Sequence, residues 1–264
     1  MAFTSKLYPG EVIIDESTAA DYMDAPLGFS KGLMTGQRPE GEGYQASVPF
    51  PAHLLIPESE WQARIQEREE RKSRLSDLVD QAGLPCKDQN GTNYCWINAP
   101  VHCIEIVRVV QNQAMVILSP ASAGAIIKGF RNVGGWGDEG LQHLEEFGCC
   151  PVDKWPANAI NRKYYTEENK ALAMKYRCTE WWRLKPRSHT EQVSCLLHNI
   201  PVACGYNWWR HETTAYEPVW LDGVCEIRSR NSWAMTYGDR GYFILRGNKK
   251  LADDQVAPGV VLAS

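Results

Sequence analysis

The chain has 264 residues, of which 44% are hydrophobic, and its 28 basic and 32 acidic side chains give a net charge of −4. This length and apolar content suffice for one large domain or two small ones with a sizeable core. The weakly acidic balance gives no electrostatic basis for binding nucleic acid or an anionic membrane. No apolar stretch approaches the roughly 20 residues that a membrane-spanning helix requires.

The cysteines and the first residues of the sequence indicate the cellular compartment and the redox state of the thiols. The stretch from Met1 to Lys6 lacks the apolar segment of a secretory signal. Nine cysteines are present, but they form no Cys-x-x-Cys pair and no group with histidines at zinc-finger spacing. We therefore expect no metal and no cofactor, and a cytoplasmic or otherwise non-secreted protein whose cysteines are mostly reduced.

The first part of the chain has little regular pattern. Residues 1 to about 56 are rich in Gly and Pro and show no sustained hydrophobic period, which predicts an extended arm that packs on another surface, its own or a partner's, or stays partly loose. Residues 60–74 then read as a helix, because Glu and Arg recur four positions apart. Its thin apolar stripe, Trp61 and Ile65, indicates a solvated surface helix.

Further along, a helical half precedes a strand-rich half. Apolar periodicity and capping residues predict helices that begin near 93–94 and that cover 119–128, 138–147 and 188–198. The first of these should bury one face. Short β-rich runs follow at 201–206, 213–221, 224–230 and 241–245, with Asp222-Gly223 as a hairpin turn. This order predicts an α+β fold in two lobes with a cleft between them.

Four side chains supply the groups that a peptide-cleaving thiol needs. Cys95 stands at a predicted helix start, where the helix dipole favours a thiolate. His211 can serve as the imidazole partner, and Asn231 can fix its tautomer. The side-chain amide of Gln89 can donate to the oxyanion that develops during acyl transfer.

These residues also carry a family resemblance. The run from Gln89 to Cys95-Trp96 resembles the nucleophile motif of the papain-like (cathepsin-type, C1 family) cysteine peptidases. Asn231-Ser232-Trp233 and the stretch 237–242 are similar to that family's Asn-Ser-Trp-Gly and Trp-Gly-x-x-Gly-Tyr motifs. Matching segments run in order from about residue 76 to residue 247. The resemblance implies a papain-like two-lobed fold, with a helical lobe and a strand-rich, β-barrel-like lobe.

The resemblance also implies individual roles. Cys95 would be the nucleophile, His211 the general acid and base, and Asn231 the residue that orients His211. Gln89 would form the oxyanion hole together with the Cys95 backbone amide. Trp233 would shield the Asn–His hydrogen bond from water.

For the substrate, the resemblance implies that Gly134 and Gly135 line the non-primed subsites and that Trp136 forms a wall. Thr92 stands where many members of the family carry a disulfide cysteine, which agrees with a reducing compartment. The loop 207–210 before His211 is far shorter than in papain, so a tight hairpin would have to align the strands.

The resemblance also offers a second interpretation of the N-terminal helix, as a propeptide-like helix that shields the cleft. We accordingly assign residues 1–75 to an N-terminal arm and helix, either propeptide-like or partner-binding, and residues 76–264 to a papain-like peptidase domain.

Two further patterns contain a histidine. His102 is expected to be a core residue whose hydrogen bonds are satisfied. His211-Glu212 begins like an H-E-x-x-H zinc motif, but Ala215 stands where the second histidine would be, which excludes that motif.

The leading functional hypothesis is a cysteine endopeptidase that acts on peptide or protein substrates through an acyl-thioester intermediate. One alternative is a catalytically quiet papain-like module with a structural or assembly role, associated with a larger particle, in which the arm binds a protein partner. The other is a different Cys-dependent acyl transferase or amidase.

Overall fold

The computed structural model describes residues 8, 11–35 and 48–262. Its helices are α1 (Glu58–Arg71), α2 (Leu75–Ala82), α3 (Cys95–Val110), α4 (Pro120–Ile127), α5 (Gly137–Glu146), α6 (Glu167–Ala173) and α7 (His189–Leu197). Its strands are β1 (Val12–Ile14), β2 (Val48–Pro49), β3 (Cys178–Arg183), β4 (Val202–Tyr206), β5 (His211–Leu221), β6 (Val224–Arg230), β7 (Tyr242–Leu245) and β8 (Asp254–Val261). In these ranges no helix combines the length and apolarity needed to cross a membrane.

The strands form one eight-stranded sheet in the order β1-β7-β6-β5-β4-β8-β3-β2. Strands β4 to β7 pair antiparallel with their neighbours in sequence, whereas β1 lies parallel to β7. The predicted hairpin is confirmed: Asp222 and Gly223 have φ angles of 51° and 81°, as a two-residue primed turn requires. The short loop before His211 also forms a tight hairpin, in which Tyr206 pairs with His211.

Of the three hydrophobic clusters in the described ranges, the two larger ones lie on either side of α3, which confirms the predicted α+β, two-lobed fold. One core fills the sheet lobe and is built around β4, β5 and β7. The other lies between α3, α4, α5 and the strands β3 and β8. The sequence predicted one buried face for α3, but every residue from Cys95 to Arg108 is buried, because the helix packs against both lobes.

The predicted helices are found with small shifts at their ends. α1 stops at Arg71 because Lys72 adopts a left-handed conformation (φ 49°) and closes the helix. The cap predicted at Ser188 is present, since its hydroxyl accepts a hydrogen bond from the Glu191 amide at 3.3 Å. The strands β1, β2, β3 and β8 and the helices α2 and α6 went unpredicted.

The described part of the N-terminal arm packs on its own chain. β1 joins the sheet edge, β2 pairs with β3, and residues 29–35 cross from one lobe to the other. α1 lies against α7 and β5, where Trp61 packs edge-on against His189, so the segment that covers the cleft is extended rather than helical. The remainder of the predicted arm lies outside the described residues, and the division at residue 75 stays a prediction.

All nine cysteines fall within the described ranges, and each is a buried free thiol.

Candidate active site

Cys95 is the first residue of α3, and its side chain is fully buried between the two lobes. The backbone amides of Trp96 and Glu212 point toward its sulfur, and so does the amide of Gly32, which lies 3.2 Å from Sγ. Glu212 directly follows His211 at the start of β5. The fold therefore brings a helix N-terminus from one lobe against the histidine-bearing strand of the other.

His211 and Asn231 form the predicted pair. His211 Nε2 lies 2.8 Å from Asn231 Oδ1, and the same oxygen accepts a hydrogen bond from the Ser232 amide at 2.8 Å. The indole ring of Trp233 stacks on the imidazole with ring centroids 4.3 Å apart, and Trp209 packs edge-on against it. The predicted shielding of this hydrogen bond by Trp233 matches this stacking.

This arrangement determines the tautomer of His211. Because Asn231 Oδ1 also accepts from a backbone amide, it acts as an acceptor toward the ring, so Nε2 carries the proton. Nδ1 is buried and makes no hydrogen bond to the described residues. The unprotonated nitrogen is thus available as a proton acceptor.

Gln89 is fully buried and held by the Asn-Ser-Trp segment. Its backbone amide donates to the Ser232 carbonyl at 2.8 Å, and the Ser232 hydroxyl donates to Oε1 at 2.5 Å. These contacts turn Nε2 outward, where it donates to the carbonyl oxygens of Thr92 and Ser30, each at 2.8 Å. The side-chain amide is therefore a fixed donor aimed into the cleft.

The cleft is occupied by the chain's own residues 30–34. They belong to a longer segment, residues 15–35, which we name the strap. The strap amide at Gly32 donates to Cys95 Sγ, and the Ser30 carbonyl accepts from Gln89 Nε2 and, at 3.2 Å, from Trp233 Nε1. A Cβ at Gly32 would collide with the carbonyl of Asn93, so only glycine fits where the strap crosses Cys95.

The predicted glycine pair contacts this strap. Leu33 pairs parallel with Gly135, through hydrogen bonds of 2.9 Å from the Gly135 amide to the Gly32 carbonyl and from the Met34 amide to the Gly135 carbonyl. Gly134 lines the space beside the strap. The predicted glycine pair thus lies along an extended backbone.

Leu33 is buried, and its two methyl groups would lie 3.2 Å from a Cβ placed at Gly205. The missing side chain at Gly205 therefore makes the pocket that Leu33 fills.

Trp136, predicted as a subsite wall, directly follows the glycine pair in the chain. It precedes α5, is mostly buried, and its ring lies 5.7 Å from the Lys128 ammonium. The same ammonium lies over the Trp96 ring and pairs with Glu139 at 2.6 Å. Trp136 thus joins a cluster behind the cleft, and its role toward substrate stays a prediction.

With the strap in place, the side chains of Cys95 and His211 are both held neutral. Burial raises the pKa of the Cys95 thiol to about 12, and the Glu212 carboxylate adds to the rise, which the surrounding amides only partly oppose. Burial lowers the pKa of His211 to about 3, the hydrogen bond to Asn231 opposes this shift, and the strap residue Lys31 reinforces it. Between these values the site contains a thiol and an uncharged imidazole.

The predicted structural role of His102 agrees with its surroundings. Its ring bonds Glu105 at 2.9 Å and the Tyr216 hydroxyl at 2.5 Å, in the interior between α3 and β5. Lys87 completes this network by donating to Glu105 and to the Leu118 carbonyl.

Sequence reasoning missed the residues of the strap and the pocket at Gly205. The strap has no local period, and its partners lie about 60 or more residues away in sequence. A single glycine at position 32, between Lys31 and Leu33, is the one local signal, and it is too common a feature to identify a cleft-crossing segment.

No protein-family model and no curated protein matches this sequence. Solved structures do match. Bromelain from Ananas comosus, in complex with the E64 inhibitor, shares 18% identity over 71% of this chain and 97% of its own, with a TM-score of 0.59. Xylellain, a cysteine protease from Xylella fastidiosa, shares 20% identity over 69% and 83%, with a TM-score of 0.55.

A digestive procathepsin L 3 from the larval midgut of Tenebrio molitor shares 16% identity, with a TM-score of 0.58. That match covers 67% of this chain and 66% of the procathepsin, so this chain spans just under two thirds of that protein's length. At such identities the similarity establishes the fold, which is that of the papain-like cysteine proteases.

Proposed function

We propose that this chain, with its papain-like fold, is a cysteine endopeptidase that the strap holds in a latent state. One observation carries the proposal: the groove at Cys95 binds an extended polypeptide. In that groove the Ser30 carbonyl bonds Gln89, and the backbone around Leu33 pairs with Gly135. A site that binds a peptide backbone at a buried thiol is suited to peptide-bond chemistry.

In the proposed reaction, the strap first leaves the cleft. His211 Nδ1 takes the proton of Cys95, and the thiolate attacks the scissile carbonyl carbon. Gln89 Nε2 and the Cys95 backbone amide donate to the oxyanion. His211 then protonates the leaving amine, which departs and leaves an acyl-thioester. A water molecule, deprotonated by His211, hydrolyses the thioester and restores the thiol.

The direction of the strap supports latency rather than self-cleavage. If Gly134 and Gly135 line the non-primed subsites, a substrate would place residues preceding the scissile bond there. The strap instead places Leu33 and Met34 at Gly135, after the residue that contacts Cys95. It thus runs opposite to a substrate, and its carbonyls are not presented for attack as a substrate's would be.

The neutral state of both groups supports latency as well. Removal of the strap would admit water and take away the charge of Lys31, both of which favour the imidazolium and hence the thiolate–imidazolium pair.

The test is labelling by a peptide-like epoxide, combined with peptide hydrolysis. The parent protein carries Leu33→Ala, which weakens the strap, and we expect one epoxide per chain on Cys95 together with peptide turnover. Cys95→Ala should abolish both, whereas Cys225→Ala, which removes another buried thiol on β6, should retain both. Labelling or turnover that persists in Cys95→Ala would refute the assignment.

The same assay separates hydrolysis from acyl transfer. With an amine acceptor present, an endopeptidase yields free carboxyl products in excess, whereas a transferase yields mainly the acceptor adduct. Mass spectrometry of the products distinguishes these outcomes.

A further inference from the structure

The strap is anchored to the body of the protein at both ends. On its N-terminal side, β1 is an edge strand of the sheet, with Val12, Ile13 and Ile14 in register with residues 243–245 of β7. Ile14 is fully buried, and its carbonyl accepts a hydrogen bond from the Arg246 amide at 2.9 Å. The residues before the strap are therefore part of the sheet lobe.

A buried ion cluster strengthens this N-terminal anchor. Arg228 Nε lies 2.8 Å from Glu11 Oε1, its Nη2 bonds the same oxygen at 2.5 Å, and its Nη1 bonds Glu217 Oε1 at 2.7 Å. The side chains of Glu11 and Arg228 are 2% and 5% exposed. Removal of Glu11 would leave a buried guanidinium with half of its partners, which is costly in a dry site.

Tyr8 extends the anchor to α1. Its hydroxyl donates to Glu69 at 2.7 Å, and its ring lies under the Arg228 guanidinium at 5.3 Å. Tyr8 and residues 11–14 thus contact the sheet and the first helix together.

The C-terminal side of the strap leads to a second anchor. β2 pairs with β3, and the Ile56 amide donates to the Ser194 hydroxyl of α7 at 2.9 Å. Trp61 and Ile65 bury the inner face of α1 in the sheet core. The chain is therefore packed on both sides of the strap.

Between the anchors, the turn 26–29 is the most open point of the described strap. The Phe29 amide donates to the Pro26 carbonyl at 3.0 Å, Gly28 has a φ of 90°, and the side chain of Leu27 is completely exposed. Exposed turns with these features are preferred sites of proteolytic cleavage.

From these contacts we infer that the turn 26–29 is the processing site of the peptidase and that the N-terminal fragment stays bound after cleavage as a strand of the active enzyme. This inference rests on the proposed function. A protease adds water across one peptide bond in the turn and leaves a new carboxylate and a new amine. The freed strap end can then leave Cys95, while β1 and the Glu11–Arg228 pair hold the fragment in place.

Retention of the fragment can be tested without catalysis. A recognition sequence for a sequence-specific protease is inserted between Leu27 and Gly28 of the full chain carrying Cys95→Ala, and the cut protein is passed through a native sizing column. We expect the N-terminal fragment to coelute in equal amount with the remainder and to separate only in denaturant. A fragment that leaves under native conditions overturns the inference.

Two variants test the anchor. Glu11→Gln should weaken retention of the fragment by about 30-fold or more, since it breaks a buried charge pair. Asp21→Asn makes the same charge change at an exposed position of the same fragment and should leave retention unchanged. Equal retention in both variants would contradict the assigned anchor. A melting curve before cleavage shows whether Glu11→Gln folds. If it does not fold, retention of the N-terminal fragment in the chain with Glu11 intact decides between the outcomes.

Relief of inhibition is measured separately, in the inserted chain with Cys95 intact. Cleavage should raise the rate of epoxide labelling of Cys95 while the fragment stays bound. Unchanged labelling with full retention would overturn the turn as the processing site. If instead the proposed peptidase function is wrong, the uncut Leu33→Ala chain would show no labelling of Cys95 at all.

Discussion

At the scale of single residues, the amide of Gln89 is the best-defined donor in the site. Ser232 holds it from two directions, so it needs no reorientation when an oxyanion forms. Gln89→Ala should lower kcat for a peptide substrate about 100- to 1000-fold, as loss of one oxyanion-hole donor does elsewhere. Gln113→Ala, at a distant surface loop, is the matched control, and steady-state kinetics in the Leu33→Ala parent provide the measurement.

Under the proposed function, Asn231 acts through His211 and not on the substrate. Asn231→Ala should lower kcat/KM by up to about 100-fold, because the imidazole loses the partner that fixes its tautomer. Asn231→Asp keeps the acceptor oxygen and should recover part of the loss, with a changed pH profile. If both variants behaved like the parent, Asn231 would have no positioning role.

At the scale of elements, Leu33 is the buried contact of the strap. Leu33→Ala removes most of an apolar side chain from the Gly205 pocket, which should cost about 1.5–3 kcal/mol of strap binding. The open fraction, and with it the rate at which an epoxide labels Cys95, should rise by about 10- to 100-fold.

Met34→Ala provides the control for that prediction. Met34 is the next residue of the strap, and its side chain is 43% exposed. It should change the labelling rate by much less than Leu33→Ala. Equal effects of the two substitutions would mean that the Gly205 pocket does not hold the strap.

Local signals account for what was predictable among the elements. Ser188, Pro120 and the Asp222-Gly223 turn each determine structure within a few residues, and the elements they mark are present. β1 carries no such signal, because three residues become a strand only through their pairing with β7. The strap went unpredicted for the same reason, and the full burial of α3 depends on two lobes meeting around it.

The candidate site was more predictable than the strap that fills it. Cys95, His211, Asn231 and Gln89 occur in short motifs whose spacing reflects a shared groove. By contrast, Gly205 gives no signal in the sequence, because it matters only through the absence of a side chain, which leaves space for Leu33.

At the scale of the whole molecule, buried histidines should make stability depend on pH. Burial lowers the pKa of His102 to about 4, partly opposed by Glu105, and that of His211 to about 3. Below about pH 6.5 the unfolded chain therefore binds more protons than the folded one, so the free energy of unfolding falls as pH drops from 6.5 toward 4.

Thermal melting between pH 7.5 and 4.5 measures this effect. His102→Gln should flatten the dependence of Tm on pH, although it also lowers Tm at neutral pH by disturbing the Glu105 network. His53→Gln removes an exposed imidazole and should leave the slope unchanged. A slope that His102→Gln does not alter would argue against a contribution from His102.

The parallel pairing of Val12 with Phe243 also sets an order for folding during synthesis. β1 cannot find its partner until residues 243–245 have left the ribosome, and such distant contacts form slowly. The edge of the sheet lobe is thus completed by residues made long before their partner strand, and the strap that follows them is already in position to cross the thiol when the groove closes. A nascent chain would therefore have no interval in which it is folded while its cleft stands open.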